Sequence, residues 1–215
     1  MKKVIVFLAC LLSLAPAYAQ LRIGLRAGLS TSDLQVAPAT VVGPGGLDYL
    51  KLAVDEAHFG LQGGLVIQAS LGKRLLLQPE VLFNSNKVDY RVEDLTDPTA
   101  PTTIKSEKYQ NLDIPFIVGY RLGPLRLQAG PEAHIFLNST SGLTDYEGYK
   151  QDFQKATFGW IAGLGLDIWN FMLDARYEGN FTKFGDHITF YDKTYDLGDP
   201  PSRWLFSLGY LFGKR

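Results

Sequence analysis

The chain has 215 residues, 46% hydrophobic and 20% charged, with a formal net charge of -1. That is enough apolar material for one substantial domain and too much for a disordered chain. The near-neutral balance lacks the basic excess of a nucleic-acid binder, so no nucleic-acid partner is expected.

Lys2 and Lys3 precede an apolar run from Val4 to Leu14, and Ala17-Tyr18-Ala19 supplies small residues before Gln20. Charged, hydrophobic and small regions in that order predict a secretory signal peptide over 1–19, leaving 20–215 as one domain. A membrane anchor needs about 20 apolar residues, whereas Val4 to Ala19 spans 16 and contains Pro16. The single cysteine, Cys10, lies in the leader. The mature chain therefore enters an oxidising compartment with no disulfide to hold it.

Beyond the leader the dominant signal is alternation, which places odd and even residues on opposite faces of a strand. Ile23, Leu25, Ala27 and Leu29 oppose Arg22, Gly24, Arg26 and Gly28. The same pattern runs over 59–71, 75–84, 112–121 and 125–137, then over 158–168, 171–181 and 203–212. Eight strands are predicted, and none of their apolar faces carries a charge. Gly72-Lys73-Arg74, Leu122-Gly123 and Trp169-Asn170 are connections of hairpin length. Residues 31–57, 88–108, 139–156 and 182–202 form long ones. Short and long connections alternate along the chain.

Period two alone also suits a soluble periplasmic lipocalin-like barrel with its apolar face around a ligand. Three features favour the opposite arrangement. All ten lysines of the mature chain fall in predicted loops, turns, a strand rim or the tail. The polar faces are rich in glycine, at 24, 28, 60, 64, 119, 130, 159, 163, 165 and 209, which leaves room for long side chains inside a narrow cylinder. Aromatic residues collect at both ends of the apolar faces, with Phe59, Phe83, Phe158, Trp160, Phe181 and Trp204 toward the long loops and Tyr120, Trp169, Phe171, Tyr210 and Phe212 toward the turns. Two aromatic girdles around an apolar band match two membrane interfaces. The fold predicted is all-β, an eight-stranded antiparallel up-and-down transmembrane β-barrel with three short periplasmic turns and four long extracellular loops, in the cell outer membrane.

Gly24-Leu25-Arg26-Ala27-Gly28, Leu77-Gln78-Pro79-Glu80-Val81, Leu112-Asp113-Ile114-Pro115, the run from Phe158 to Gly165 and the ending Gly209-Tyr210-Leu211-Phe212 resemble the PorT-type outer-membrane β-barrel domain of Bacteroidota. The resemblance spans nearly all of the mature chain and marks a fold rather than an activity. Participation in protein secretion is a role it implies. Gly213-Lys214-Arg215 departs from the terminal aromatic that commonly signals barrel assembly.

The lumen-side parity carries Arg22, Arg26, Arg121, Arg126, Arg176 and Arg203 against Glu80, Asp113, Glu132, Asp167, Asp174 and Glu178, with His134 among them. The guanidinium fork can grip carboxylates through two bonds, so six cations and six anions can satisfy one another in a tight interior. The set is expected to be a structural core rather than a pore lining. If Leu122-Gly123 is the turn, Arg121 faces Pro124 and Asp113 faces Glu132. Those two carboxylates then need an arginine between them, with Arg26 or Arg176 the candidates, or one of them keeps its proton.

No catalytic residue, cofactor or metal site is expected. The apolar faces lack Ser, His, Asp and Glu, and no phosphate loop, paired-histidine motif or Gly-x-Ser-x-Gly is present. A lipid-modifying enzyme would need such groups beside acyl chains. The role expected is structural or surface-interacting, with the long loops as working parts. Partners expected are outer-membrane lipids and lipopolysaccharide, the barrel-assembly machinery, and an extracellular or secretion-system protein.

Overall fold

The computed structural model describes residues 19–33, 39–43, 48–57, 59–96, 99, 101–142, 149–151, 156–181, 188–190, 193–195 and 202–213. The predicted leader before Ala19, together with His58 and His187, lies outside the described residues. The strands in chain order are β1 (Ala19–Asp33), β2 (Ala39–Val42), β3 (Asp48–Ala57), β4 (Gly60–Leu71), β5 (Leu75–Asp94), β6 (Thr103–Leu122), β7 (Leu125–Ser141), β8 (Tyr149–Gln151), β9 (Ala156–Ile168), β10 (Phe171–Asn180), β11 (Ile188–Phe190), β12 (Lys193–Tyr195) and β13 (Ser202–Leu211).

Eight of these pair antiparallel in a closed cycle, β1-β4-β5-β6-β7-β9-β10-β13, with β13 returning to β1 from Gly24↔Leu211 to Asp33↔Ser202. Closure leaves the first and last strands no free edge. At the seam the Phe212 amide donates to the Ile23 carbonyl at 2.7 Å. Alternation sets the faces: Leu25, Leu65, Leu127, Leu173 and Leu208 are each about half exposed on the outside, while their neighbours Arg26, Val66, Arg126, Met172 and Ser207 are buried inside. The apolar face points outward, which removes the lipocalin-like alternative. Both aromatic groups stand on that outer face, from Phe59 and Phe181 at one end to Trp169 and Phe212 at the other. Rings at either end touch, as in Tyr177 with Trp204 and Phe171 with Tyr210, each at 5.1 Å between centroids.

Two expectations are corrected. The long connections hold paired structure: β3 continues the line of β4 along β5, with β2 beside it, and β5 and β6 stay paired up to Val92↔Thr103. In β5 the alternation persists beyond the predicted end, with Val88, Tyr90 and Val92 buried and Lys87, Arg91 and Glu93 exposed. Charges on the outer face there resemble a loop in the sequence because that face meets water rather than lipid. Short strands β8, β11 and β12 form a separate three-stranded sheet within the other two connections.

The turn between β6 and β7 is also displaced. Leu122 pairs with Leu125, so the two turn residues are Gly123 and Pro124. Gly123 has φ +68°, a left-handed conformation suited to glycine at the first position of a primed turn, and proline's fixed φ suits the second. The whole β6–β7 register shifts by two residues as a result. Asp113 faces His134, and Glu132 faces Pro115.

Candidate functional site

The lumen is filled by two groups of ionic side chains. The lower group begins beside the tight turns, where the Gln68 carbonyl oxygen accepts from Arg22 and from Arg121, each at 2.6 Å. Asp167 lies 3.6 Å from Arg121 and 3.4 Å from Arg126. One turn of pleat higher, Arg176 grips Glu80 with both terminal nitrogens, at 3.0 and 2.8 Å. Asp174 meets Arg126 at 2.6 Å and Arg26 at 2.8 Å, and Arg26 reaches Glu80 at 3.3 Å. These side chains come from β1, β5, β7 and β10, so the bonds cross the lumen rather than run along one wall.

The strands make this possible by leaving space beneath the arginines. A Cβ at Gly165 would stand 2.7 Å from both the Arg126 guanidinium and the Asp174 carboxylate, so the ion pair occupies the volume the glycine vacates. Apolar groups fill the remainder: Val66, Met172 and Leu211 form one cluster, and Ile117, Ile161 and Leu205 another.

The upper group lies toward the long connections. Arg203 bridges Asp113 at 2.9 Å and Glu178 at 2.8 Å. Asp113 also accepts from Asn84 at 2.8 Å and Gln62 at 3.3 Å, and its other oxygen is 2.8 Å from Nδ1 of His134. Nε2 of His134 lies 3.6 Å from Glu178. Glu132 is buried among them, yet neither of its carboxyl oxygens has a hydrogen-bond partner among the described residues.

All thirteen residues expected in the lumen network face the interior, and twelve make a described hydrogen bond or ion pair; Glu132 is the exception. The arginine at Asp113 is Arg203, not Arg26 or Arg176. Neutral amides missed as participants carry much of the connection. Gln68 donates to Gln78 at 2.8 Å, Gln78 donates to Glu80 at 2.6 Å, and Gln128 accepts from Arg176 at 3.1 Å. Their parity with the arginines was the available signal. Buried Glu107, bonded by Tyr109 at 3.0 Å, escaped notice because it fell in a predicted loop.

A closed cylinder with an apolar exterior and a charged, filled interior is the inverse of a soluble domain, and sequence comparison agrees with that reading. Residues 16–186 match the family described as outer membrane protein beta-barrel domain. The chain belongs to that family. Its fold is similar to the crystal structure of the outer membrane protein OprG from Pseudomonas aeruginosa, with a TM-score of 0.54, 14% identity, and coverage of 91% of this chain and 97% of that one. No curated protein matches the chain. The protein is an outer-membrane barrel. Its inward charges are therefore kept from the hydrocarbon, where an arginine or lysine on the lipid face at mid-bilayer costs about 2–4 kcal/mol.

Proposed function

We propose that this barrel is a closed, non-enzymatic element of the outer membrane whose loop-side surface engages other molecules. The observation that carries the reading is the crossing of the lumen by Arg176 on Glu80 and by Arg26 and Arg126 on Asp174, with all five side chains buried. A path for solute through that section would have to break several charge-assisted bonds at once. His134 is the only histidine among the described residues, and it is turned inward onto Asp113, away from acyl chains. That placement supports a role other than lipid modification.

The three tight turns, with Lys73 and Arg74 in the first, face the periplasm on this reading, and the long connections face outward as in other bacterial barrels. Lipopolysaccharide and other outer-membrane lipids surround the belt, and the barrel-assembly machinery inserts it. The motifs resembling PorT-type barrels support placing the chain among them, with a secretion-system protein as one partner of the loops. Planar-bilayer recording tests the closed lumen: purified protein should give no steady porin-like conductance, since eight strands enclose only enough space for side chains. Large, persistent currents from the monomer overturn the reading.

A further inference from the structure

Charge within the lumen is divided unevenly along its axis. Arg22, Arg26, Arg121, Arg126 and Arg176 with Glu80, Asp167 and Asp174 give the lower group a formal +2, while Arg203 with Asp113, Glu132 and Glu178 gives the upper group -2 with His134 neutral. The one upper arginine is already bonded to Asp113 and Glu178. Glu132 is left as a carboxylate 2% exposed, with neither oxygen hydrogen-bonded among the described residues. A carboxylate oxygen of Asp113, of its own sign, lies within 4.8 Å of one of its oxygens. A buried carboxylate beside another is offset either by keeping its proton or by a cation next to it.

The surrounding atoms suit one. Ligand-capable atoms of Asp113, Glu132 and His134 all lie within 4.8 Å of one another. Oδ1 of Asp113 and Nδ1 of His134 are 2.8 Å apart. Two ligands held at about 2.0–2.1 Å on a tetrahedral ion are separated by about 3.3–3.4 Å, so this pair opens by about half an ångström to share an ion. Arg203 occupies the other oxygen of Asp113, and Glu178 faces the other ring nitrogen of His134, the position from which a carboxylate orients a ligating imidazole.

We propose that Asp113, Glu132 and His134 bind one divalent first-row transition-metal ion in the loop-side half of the lumen. One imidazole with two carboxylates favours zinc, iron(II) or manganese over the all-oxygen surroundings of calcium and magnesium. The ion cancels the local -2 and ties β6 to β7 at the level where the lumen is most anionic. This inference goes beyond the surface role and is independent of it, since a closed barrel engages partners through its loops with or without the ion.

The test uses tag-free full barrel, folded in detergent, stripped with chelator and titrated with Zn²⁺ by calorimetry, with bound metal counted after dialysis. One Zn²⁺ per barrel is expected, weakened about tenfold or more in Glu132→Gln and in His134→Gln and unchanged in the loop-side control Glu93→Gln. Folding of each variant is checked by its heat-modifiable gel shift. A His58→Ala/His187→Ala protein keeps the full site and leaves His134 as the sole histidine. Zn²⁺ should shift its imidazole resonance. Absence of stoichiometric binding, wild-type affinity in the two lumen variants, or an unmoved His134 resonance overturns the assignment, whatever the conductance recordings show.

Discussion

Removing Asp113 strips Arg203, Asn84, Gln62 and His134 of a common acceptor inside a space closed to water. Arg203 loses one of its two carboxylates and keeps Glu178, so Asp113→Asn should lower unfolding stability by about 1–3 kcal/mol, read from denaturant titration in detergent. Glu132 predicts the reverse. In excess chelator, Glu132→Gln removes a like charge that no hydrogen bond offsets, and its unfolding midpoint should lie at or above that of the wild type. A lower midpoint for that variant would show that the carboxylate is compensated without metal. Glycines provide a second residue-scale contrast. A Cβ at Gly64 would collide with the Val81 carbonyl oxygen of the next strand, while one at Gly63, on the outer face, meets only the Arg26 carbonyl oxygen at 3.5 Å. Gly64→Ala should therefore impair folding, and Gly63→Ala should be tolerated, by the same gel-shift assay.

At the scale of elements, the β6–β7 hairpin decides which charges meet. A two-residue turn at Leu122-Gly123, one position earlier, would place Ile114 opposite Pro131, whereas the observed turn at Gly123-Pro124 pairs Ile114 with Ala133. Because residues 20–215 contain no cysteine, the two arrangements can be told apart by cross-linking. Directly opposed Cβ atoms in an antiparallel pair lie within reach of a disulfide. Ile114→Cys/Ala133→Cys should oxidise to a bridged species that migrates differently on unfolded gels, and Ile114→Cys/Pro131→Cys should not. The reverse outcome would restore Asp113 opposite Glu132 and dissolve the proposed metal site. The turn itself contributes to register. Gly123→Ala forces a side chain into left-handed backbone and should cost about 1 kcal/mol.

For the whole molecule, sidedness and surface charge make the checkable statements. Side chains of Lys51 and Lys87 are about half exposed on the extensions beyond the belt, at 48% and 46%, while Lys73 sits at the opposite, tight-turn end. A membrane-impermeant amine reagent applied to intact cells should label the first two and spare the third. Labelling of Lys73 alone would invert the topology. The residues at 31–57, 88–108, 139–156 and 182–202 carry a net -8 against +5 for the rest of residues 20–215. The loop-side surface should repel polyanions and favour cationic partners or divalent ions bridging to lipid headgroups, with the strength falling as salt screens it. Binding of acidic polysaccharide that is equally tight at low and high salt would contradict this.

Alternation determined the eight long strands and limited their faces to two assignments, and lysines confined to loops and rims, glycine-rich polar faces and the two aromatic groups favoured the one with the apolar faces outward. Lipid on one side and a cylinder too narrow for solvent on the other then leave one of them stable. Extent was less legible. The upper part of β5 alternates as regularly as the rest, but beyond Phe83 its outer residues are polar or charged, and the upper part of β6 loses the strict alternation, so both read as loop. Pairing across the lumen was not legible at all. Which arginine meets which carboxylate depends on strand tilt and barrel closure, and Arg203 rather than Arg26 or Arg176 reaches Asp113. Glu132 is left among its own kind for the same reason: contacts between strands far apart in the chain are set by closure of the barrel, which no local pattern encodes.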